Sequence, residues 1–438
     1  MEVFPKEISG AIILEHQTAE LMAAQKAVGW PFDTRKALDL EDKLLTRLEE
    51  LRGQAQKLCA FVPKLEFEEN PKDPENPKWT SKTWTPKRDN KTLGYVAGCP
   101  MTRLFDFNPS SRDHISWLLI RRKGNKPSKR TPTGKAVIDE VVLQDIGTPE
   151  ALLFRDILVV QKKLGMLSQG NNAWWKLVKN GRLHHSCFIG AATHRMAHSH
   201  PNLAQVSSDT DCRELFITKP GWKLVDSDLA GIELRMFAHY LSRYDGGRYA
   251  KVLLNGDIHQ ENADKIGVTR SQVKTISYAF LYGAGDQQLG YSYDPQLSKE
   301  KAQKKGADIR QAYMDAIPGL ETLVEKVYQA SERGFLYGLD DRRIRVDKRH
   351  KSLNFLLQSA AAIVAKRWLL ITDSWLYCIK HERYAFVHDE QVIGAPPSSA
   401  DEVARACKHS ALETGEYYKL RLPIEADANI GNNWAEVH

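Results

Sequence analysis

The sequence predicts an α+β fold in which helical lobes lie on either side of a small sheet. Residues 11–58 have the apolar period of two helices, with a turn at WPFDT between them. KLVDSDL at 223–229 is typical of a buried strand that runs directly into a helix. RYAFVHDEQVIGAPP at 383–397 has two apolar runs around a polar centre, the pattern of a strand–turn–strand hairpin. Between this strand and this hairpin, residues 242–350 are mostly helical in pattern and strongly charged.

The elements that precede the strand at 223–229 are predicted from composition and apolar period. The first helix is expected to end near Gly29 and the second near Gln56. Segments dense in Pro, Lys and Asn, without an apolar period, indicate exposed loops. The patterns predict, in chain order, a basic loop or small insertion at 60–94, a second basic loop at 121–135, helix from about 148 to 180 and a strand at 182–189.

Composition limits the class of protein. The chain has 438 residues, enough for two or three lobes, and 62 Lys and Arg against 55 Asp and Glu, so a polyanionic partner is permitted. Its six cysteines are scattered, which argues against zinc-ligand spacing and against a disulfide scaffold. The N-terminus does not have the pattern of a signal peptide, and the longest apolar run, at 360–365, is far short of a membrane span. We therefore expect a soluble, cytoplasmic protein.

Two segments place carboxylates at the ends of predicted strands. Asp226 and Asp228 lie near the end of the strand at 223–229, and Asp389 lies in the turn of the hairpin. Taken singly, Asp226 or Asp228 suits the N-cap of the following helix, and Asp389 suits a turn. Taken together, carboxylates from two strand ends suit a pair of divalent cations at one edge of a sheet, because a buried carboxylate needs a cation or hydrogen bonds.

A helix with a mixed cationic and aromatic face is predicted from Arg270 to Tyr282. Thr269 and Gln272 form a capping-box pattern before it, and Gly283 stands where the helix should end. One side of this helix is predicted to face the core and carries Val273, Ile276 and Phe280.

The face opposite these apolar residues carries cations and rings at steps of four residues. Such steps keep side chains on one side of a helix, since each step advances about 400°. The stripe comprises Arg270, Lys274, Tyr278 and Tyr282. Two cations followed by two rings suit a ligand with phosphates at one end and a base at the other. A solvated basic face whose tyrosines belong to the core is the alternative.

These segments together resemble the three polymerase motifs of family A DNA polymerases, in the same order. They are DSDLAGIELR at 226–235, RSQVKTISYAFLYG at 270–283 and VHDE at 387–390. Further segments are similar to replicative polymerases of T-odd, short-tailed phages: FNPSSRDHI at 107–115, PNLAQ at 201–205, LNGDIH at 254–259, FLYGAG at 280–285 and LQSA at 357–360. The resemblance covers nearly the whole chain.

The resemblance implies a right-hand fold with a thumb, a palm built on an antiparallel sheet, and helical fingers. It assigns 1–180 to the thumb and the N-terminal palm edge, 181–241 and 351–438 to the two parts of the palm, and 242–350 to the fingers. The implied reaction is template-directed addition of dNTPs to a primer 3′ end by nucleotidyl transfer with two Mg²⁺ ions. The implied setting is phage genome replication, in the cytoplasm of a host cell.

The family's catalytic residues carry over position by position. Asp228 and Asp389 match the carboxylates that bind the metal ions, and the backbone carbonyl of Leu229 matches a further ligand. Glu390 matches a supporting acid beside the metals. Lys274 matches the proton donor to the leaving pyrophosphate.

The residues around the incoming dNTP carry over in the same way. Arg270, Lys274 and His259 match contacts to the triphosphate. Tyr278 matches the ring against the incoming sugar, and Tyr282 matches the ring near the templating base. Glu233 matches the steric gate, whose side chain occupies the space that a ribose 2′-hydroxyl needs.

Four further positions match contacts to primer–template DNA. Arg195, Asn354 and Gln358 match contacts in the minor groove, where the acceptors are common to all correct base pairs. His388 matches a residue near the primer terminus. The implied partners are therefore primer–template DNA and dNTPs.

The sequence departs from the family pattern at His194, which replaces the turn glycine of a Thr-Gly-Arg motif and puts the local backbone in question. A second departure is the loop at 60–94, which is shorter than the thioredoxin-binding insertion of a known relative. It leaves a processivity factor as a hypothesis supported only by the basic loop with Trp79 and Trp84.

A third departure concerns proofreading. No 3′–5′ exonuclease domain precedes the predicted thumb, so we expect that activity to be absent, removed, or on a separate polypeptide. Two other functions stay open at this stage. One is a single-subunit RNA polymerase, against which Glu233 argues. The other is a non-catalytic nucleic-acid-binding subunit, against which the full set of expected catalytic side chains argues.

Overall fold

The structure, a computed structural model, describes residues 10–63, 65–68, 78–81, 83–84, 101–102, 104–129, 135–294 and 297–438. The chain divides into two compact units. One contains Leu38–Gly170, and the other contains the residues up to Ala37 together with Asn171–His438. Every predicted site residue belongs to the second unit, which is called the catalytic unit below.

Helices make up most of the described chain. They are α1 (Gly10–Val28), α2 (Thr34–Leu58), α3 (Arg112–Ser116), α4 (Glu140–Ile146), α5 (Pro149–Leu164), α6 (Trp174–Leu177), α7 (Thr210–Arg213), α8 (Ile232–Asp245), α9 (Arg248–Asn255), α10 (Ile258–Ile266), α11 (Arg270–Leu281), α12 (Asp286–Tyr293), α13 (Lys299–Ala316), α14 (Leu320–Ser331), α15 (Ser352–Trp375), α16 (Pro397–Tyr417) and α17 (Trp434–Val437). Single turns of 3₁₀-helix lie at Leu203–Gln205 and Arg349–Lys351, and π-helical turns lie at Trp117–Arg122 and Gly165–Gln169. The two predicted N-terminal helices are confirmed, and the second continues slightly past Gln56.

The strands are short and pair antiparallel. They are β1 (Trp30–Pro31), β2 (Phe61–Pro63), β3 (Leu65–Glu68), β4 (Lys78–Ser81), β5 (Thr83–Trp84), β6 (Met101–Thr102), β7 (Leu104–Asp106), β8 (Val178–Lys179), β9 (Arg182–Leu183), β10 (Ser186–Ile189), β11 (Met196–Ser199), β12 (Lys223–Leu229), β13 (Phe335–Tyr337), β14 (Arg343–Arg345), β15 (Glu382–Val387), β16 (Glu390–Ala395) and β17 (Ala426–Gly431). The predicted strand at 182–189 is two strands, β9 and β10.

The unit formed by Leu38–Gly170 contains most of α2, helices α3 to α5 and strands β2 to β7. Strand β2 pairs with β7, so residues following α2 return beside the segment that leads into α3. Phe107 and Phe154 pack ring to ring with centroids 5.8 Å apart in its core. The predicted insertion at 60–94 lies largely outside the described residues, as does part of the predicted loop at 121–135.

The principal sheet of the catalytic unit has the order β15-β16-β12-β17, and each neighbouring pair is antiparallel. Strand β12 is the predicted strand, and two residues separate its end from the start of α8. Gly231 makes the entry into α8, with φ +55° in the left-handed region that glycine adopts without steric cost. β15 and β16 form the predicted hairpin around a two-residue turn.

A continuous core joins this sheet to helices α8, α15 and α16. Val225 on β12, Phe237 on α8 and Trp368 on α15 are fully buried. The Trp368 indole donates to the Cys407 carbonyl of α16 over 2.8 Å, so its polar atom is satisfied inside the core. The segment Arg349–Trp375 is long and apolar enough to cross a membrane, but 72% of its most apolar window is buried within the protein. It is the central core helix of this unit.

A buried ion-pair network connects α1 to this core helix. Lys366 of α15 is only 1% exposed, and its ammonium group lies 2.6 Å from the Glu15 carboxylate of α1. Arg342 also pairs with Glu15, and it pairs with Asp340 over 2.6 Å. Buried charges are tolerated when they are paired in this way. The network contributes to holding α1 in the catalytic unit, together with the buried side chains of Leu14 and Met22.

Helices α12 and α13 approach each other closely through two glycines. A Cβ atom at Gly306 would lie 1.6 Å from the Asp286 carbonyl oxygen, and one at Gly290 would lie 1.9 Å from that of Ala302. Only a residue without a side chain fits either position.

We predict that Gly306→Ala lowers the free energy of unfolding by about 2 kcal/mol, because an added methyl group forces the two helices apart. Ala307→Gly, at an exposed position of the same helix, is the matched control and should cost only about 1 kcal/mol through backbone entropy. Denaturant unfolding of both variants measures the difference. A Gly306→Ala protein as stable as the wild type would contradict the packing described here.

Candidate active site

The middle strand of the principal sheet presents two acids on one face. Asp226 and Asp228 stand two positions apart on β12, and alternate residues of a strand point to the same face. The opposite face carries Val225 and Leu229, both buried in the core. Asp226 is buried, whereas Asp228, near the end of the strand, keeps part of its surface in solvent. This alternation fixes which face is apolar and which is acidic.

The hairpin turn is fixed to the end of this strand by a backbone hydrogen bond. The Leu229 amide donates to the Asp389 carbonyl over 3.0 Å. His388, the first turn residue, has φ +58°, as the turns of two-residue hairpins require. The register also places Glu390 of β16 directly opposite Asp228. Two predicted metal ligands from distant segments are therefore brought together.

The electrostatics of these acids reflect their crowding. Burial, reinforced by the charges of Asp389 and Glu390, raises the pKa of Asp228 to about 7. Burial likewise raises the pKa of Asp389 to about 6, although the guanidinium of Arg195 acts in the opposite direction. Neighbouring carboxylates that disfavour each other's ionisation form an oxygen-rich donor set, which suits hard divalent cations.

Glu390 is turned toward a second group of residues. It is buried, and it accepts a hydrogen bond from the Trp434 indole over 2.8 Å. The imidazole Nδ1 of His438 lies 4.0 Å from the Glu390 carboxylate and 3.7 Å from the Asp226 carboxylate. Burial, together with the charge of Glu390, raises the pKa of Asp226 far above its usual range.

The interpretation of Asp226 as a helix cap is wrong. The N-cap of α8 is Gly231, and no side chain caps that helix end. Asp226 instead lies within β12, where a buried carboxyl group faces Glu390 across the strands. The interpretation of Asp228 as a cap fails for the same reason.

Helix α11 confirms the predicted end signals. The Thr269 side chain accepts from the Gln272 amide, and the Gln272 side chain accepts from the Thr269 amide, which completes the capping box. The helix ends at Leu281, and Gly283 follows with φ +74°. The residues predicted to face the core are all buried: Val273, Ile276 and Phe280.

The N-terminal half of this helix carries the two predicted triphosphate contacts. Arg270 and Lys274 are exposed, and Arg270 pairs with Asp257 over 2.6 Å. His259 lies beside them, with its ring centroid 6.3 Å from that of Tyr278. Burial lowers the pKa of His259, and the charges of Arg270 and Lys274 lower it further. The imidazole is therefore neutral near pH 7.

The C-terminal end of α11 is joined to α8 through Glu233. The Tyr282 phenol donates to the Glu233 carboxylate, with oxygen–oxygen distances of 2.6 and 2.8 Å. Arg195 pairs with the same carboxylate. Burial and the bond to Glu233 raise the pKa of Tyr282 to about 12, so the phenol stays protonated and remains a donor. Three residues with separately predicted roles thus form one hydrogen-bonded group.

The two predicted DNA contacts on α15 differ in burial. Asn354 is buried, and its amide donates to the Leu281 carbonyl over 3.2 Å at the end of α11. Gln358, one turn further along α15, is half-buried. His388 is also half-buried, and its ring lies 5.6 Å from that of His198.

Sequence reasoning missed three contributors to this site. Trp434 and His438 reach Glu390 from the C-terminal segment, and Asp427 stands opposite Asp228 on β17. Trp434 and His438 lie in the C-terminal segment GNNWAEVH, to which the sequence pattern gives no role, and Asp427 belongs to no motif. The strand β17 is short and follows a helix, so its pairing with β12 depends on long-range contacts that periodicity does not reveal.

The sheet, the convergent acids and the cationic helix suit an enzyme of nucleotidyl transfer, and comparison with known proteins identifies the family. The sequence model of the family described as DNA polymerase family A matches residues 99–436. This chain belongs to that family. The predicted right-hand polymerase fold and DNA-directed DNA polymerase activity are confirmed, and family A DNA polymerases are generally metal-dependent.

Individual relatives agree with this assignment. The DNA-directed DNA polymerases of Escherichia phage T7 and Enterobacteria phage T3 are each 31% identical to the chain, over 99% of its length and 71% of theirs. The thermostable DNA polymerase I of Thermus aquaticus is 29% identical over 75% of the chain and 42% of its own length. Among solved structures, the POL domain of Pol1 from M. smegmatis, in complex with DNA primer–template and dNTP, matches 97% of this chain and 70% of its own at TM-score 0.73 and 19% identity.

We predict that Asp228→Asn raises the free energy of unfolding in the presence of EDTA. Asparagine removes a carboxylate whose ionisation is disfavoured by partial burial and by the charges of Asp389 and Glu390. The gain should be only about 1 kcal/mol, because solvent screens much of this effect. Asp427→Asn is the matched control, since Asp427 is exposed and acts least among the neighbours that raise the pKa of Asp228. Chemical unfolding measures both variants. Destabilisation by Asp228→Asn would contradict the repulsion inferred here.

Proposed function

We propose that this polymerase adds dNTPs to a primer 3′ end with two Mg²⁺ ions held by Asp228 and Asp389. The observation that carries the proposal is the hydrogen bond from the Leu229 amide to the Asp389 carbonyl, which sets the two acids at one end of the sheet. The Leu229 carbonyl is the proposed backbone ligand. Glu390 is the supporting acid, whose negative charge adds to the site from its place beside Trp434.

The donor set of this chain fits such ions. Burial and the charges of neighbouring acids raise the pKa values of Asp228 and Asp389, and a divalent cation would stabilise both carboxylates in their ionised form. The bound ions would supply Lewis acidity, which favours ionisation of the primer hydroxyl and neutralises charge on the leaving pyrophosphate. Arg195 lies close enough to Asp389 to lower its pKa, so it also helps to keep that carboxylate ionised.

The exposed cations of α11 are proposed to bind the triphosphate. Arg270 and Lys274 present their charges to solvent on the helix, and neutral His259 can donate one hydrogen bond beside them. Lys274 is the proposed proton donor to pyrophosphate. Binding a triphosphate would compete with the exposed pair between Arg270 and Asp257, which contributes little stability by itself.

Sugar selection is proposed to depend on Glu233. Bonds from Tyr282 and Arg195 hold its carboxylate, so it cannot swing away to admit an additional hydroxyl group. A side chain held from two sides excludes a ribose 2′-hydroxyl more effectively than a free one. Tyr278 is the proposed contact to the sugar ring, and Tyr282 lies beside the templating position.

Primer–template DNA is the proposed macromolecular partner. Arg195, Gln358 and His388 are the proposed contacts to the duplex near the primer terminus. Asn354 is proposed to serve the same surface by holding Leu281 of α11, since its amide is engaged there. Minor-groove contacts of this kind recognise pair geometry and carry little sequence information.

The division into polymerase subdomains follows from these roles. Residues 181–241 and 351–438 are proposed as the palm, 242–350 as the fingers and 1–180 as the thumb with the palm edge. The 38–170 unit lies within the proposed thumb segment, whereas α1 belongs to the catalytic unit. Phage genome replication inside a host cell is the proposed setting, which the likeness to phage T7 and T3 polymerases supports.

Primer extension with Mg²⁺ tests the metal-binding proposal. Asp228→Asn and Asp389→Asn should each lower the rate by about a hundredfold or more, because each removes a charge that holds a catalytic ion. Asp308→Asn, an exposed acid on α13, is the control and should extend like the wild type. Undiminished extension by either active-site variant would refute the metal assignment.

Incorporation of rNTPs tests the steric gate. We expect Glu233→Ala to raise rNTP incorporation relative to dNTP incorporation by about a hundredfold, since the space for a 2′-hydroxyl would open. Tyr282→Phe removes the hydrogen bond from the phenol to Glu233. It should raise rNTP incorporation relative to dNTP incorporation to a smaller extent than Glu233→Ala does. The ratio of kcat/KM for rNTP and dNTP measures both variants, and an unchanged ratio in Glu233→Ala would show that another residue sets sugar choice.

A further inference from the structure

Arg195 is presented by the loop between β10 and β11, and His194 precedes it in that loop. The loop contains a reverse turn, in which the His194 amide donates to the Ala191 carbonyl over 2.9 Å. His194 has φ +63°, in the left-handed region that side chains other than glycine rarely adopt. Local backbone preference therefore does not hold this conformation by itself, and a tertiary contact is needed.

The His194 ring makes such a contact with the core helix. Its Nδ1 lies 3.1 Å from the hydroxyl of Ser359, which is fully buried in α15. Burial, with the charges of Arg342 and Lys366 nearby, lowers the pKa of His194. A neutral ring can share one hydrogen bond with the hydroxyl in either tautomer. The loop is thereby joined to a rigid element.

The next residue in the loop connects this anchor to the site. Arg195 pairs with Glu233, the carboxylate that also accepts from Tyr282. Arg195 acts on Asp389 as well, since its charge lowers the pKa of that acid. A shift of the loop would therefore disturb the proposed gate and the proposed metal ligand at the same time.

We propose that His194 is a positioning residue, which holds Arg195 against Glu233 through its hydrogen bond to Ser359. This inference rests on the proposed function, in which Arg195 contacts the primer–template duplex. Two features of His194 contribute separately. The turn needs a residue that accepts positive φ, and the anchor needs a side-chain atom at the position of Nδ1.

Substitutions at position 194 separate these two features. His194→Gly keeps the backbone conformation and removes the anchor. His194→Asn keeps both, because asparagine tolerates the left-handed region and its amide atoms occupy the place of Nδ1 along the side chain. His194→Ala removes both. Ser359→Ala removes the anchor from the other side and leaves residue 194 unchanged.

The test is single-turnover primer extension by the full chain with Mg²⁺, in a double-mutant cycle with Arg195→Ala. His194→Ala and Ser359→Ala should each lower kcat/KM by about tenfold, the usual effect of losing an orienting hydrogen bond. His194→Asn should keep kcat/KM close to that of the wild type, whereas His194→Gly should lower it about as much as His194→Ala does. In the Arg195→Ala background, neither His194→Ala nor Ser359→Ala should lower kcat/KM further.

The outcomes distinguish this inference from the proposed function. Full activity of Arg195→Ala would overturn the proposed role of Arg195 and the inference together. If Arg195→Ala is impaired but His194→Ala lowers kcat/KM further in the Arg195→Ala background, the inference alone is overturned. Wild-type activity of His194→Gly would also overturn the inference alone. Thermal melting shows whether each variant folds. If His194→Ala does not fold, Ser359→Ala takes its place in the double-mutant cycle.

Discussion

The backbone hydrogen bond between the Leu229 amide and the Asp389 carbonyl joins the two chain segments on which the active site depends. This bond holds the end of β12 against the turn of the β15–β16 hairpin. Strand register has a period of two, so a slip of one residue would turn Asp228 toward the core. The acids therefore meet only because the ladder and this terminal bond select one register.

The same register concentrates negative charge, and the fold accommodates it. Burial and the charges of Asp389 and Glu390 disfavour ionisation of Asp228. Burial, with the charges of Glu233 and Glu390, also disfavours ionisation of Asp389, while Arg195 offsets part of that effect. The apolar face of β12 packs into the core, and that burial keeps the crowded edge in place. Functional sites commonly carry local instability that the surrounding structure compensates.

Helix α11 is anchored at one end and exposed at the other. Tyr282 bonds to Glu233 of α8, and the Leu281 carbonyl accepts from Asn354 of α15. Arg270 and Lys274, at the opposite end, project into solvent. The helix that carries the proposed triphosphate contacts is therefore held by its buried apolar face and, at its C-terminal end, by side-chain hydrogen bonds to the proposed gate residue and to α15.

Local signals in the sequence determined β12, the hairpin and the capping box of α11, because apolar period and cap residues act over a few neighbours. Motif resemblance determined the family. Only the tertiary structure decided that Asp226 is a buried partner of Glu390, that β17 pairs with β12, and that His194 holds a left-handed turn against Ser359. Those contacts join residues far apart in the chain, and their stability comes from burial and packing that no local pattern encodes.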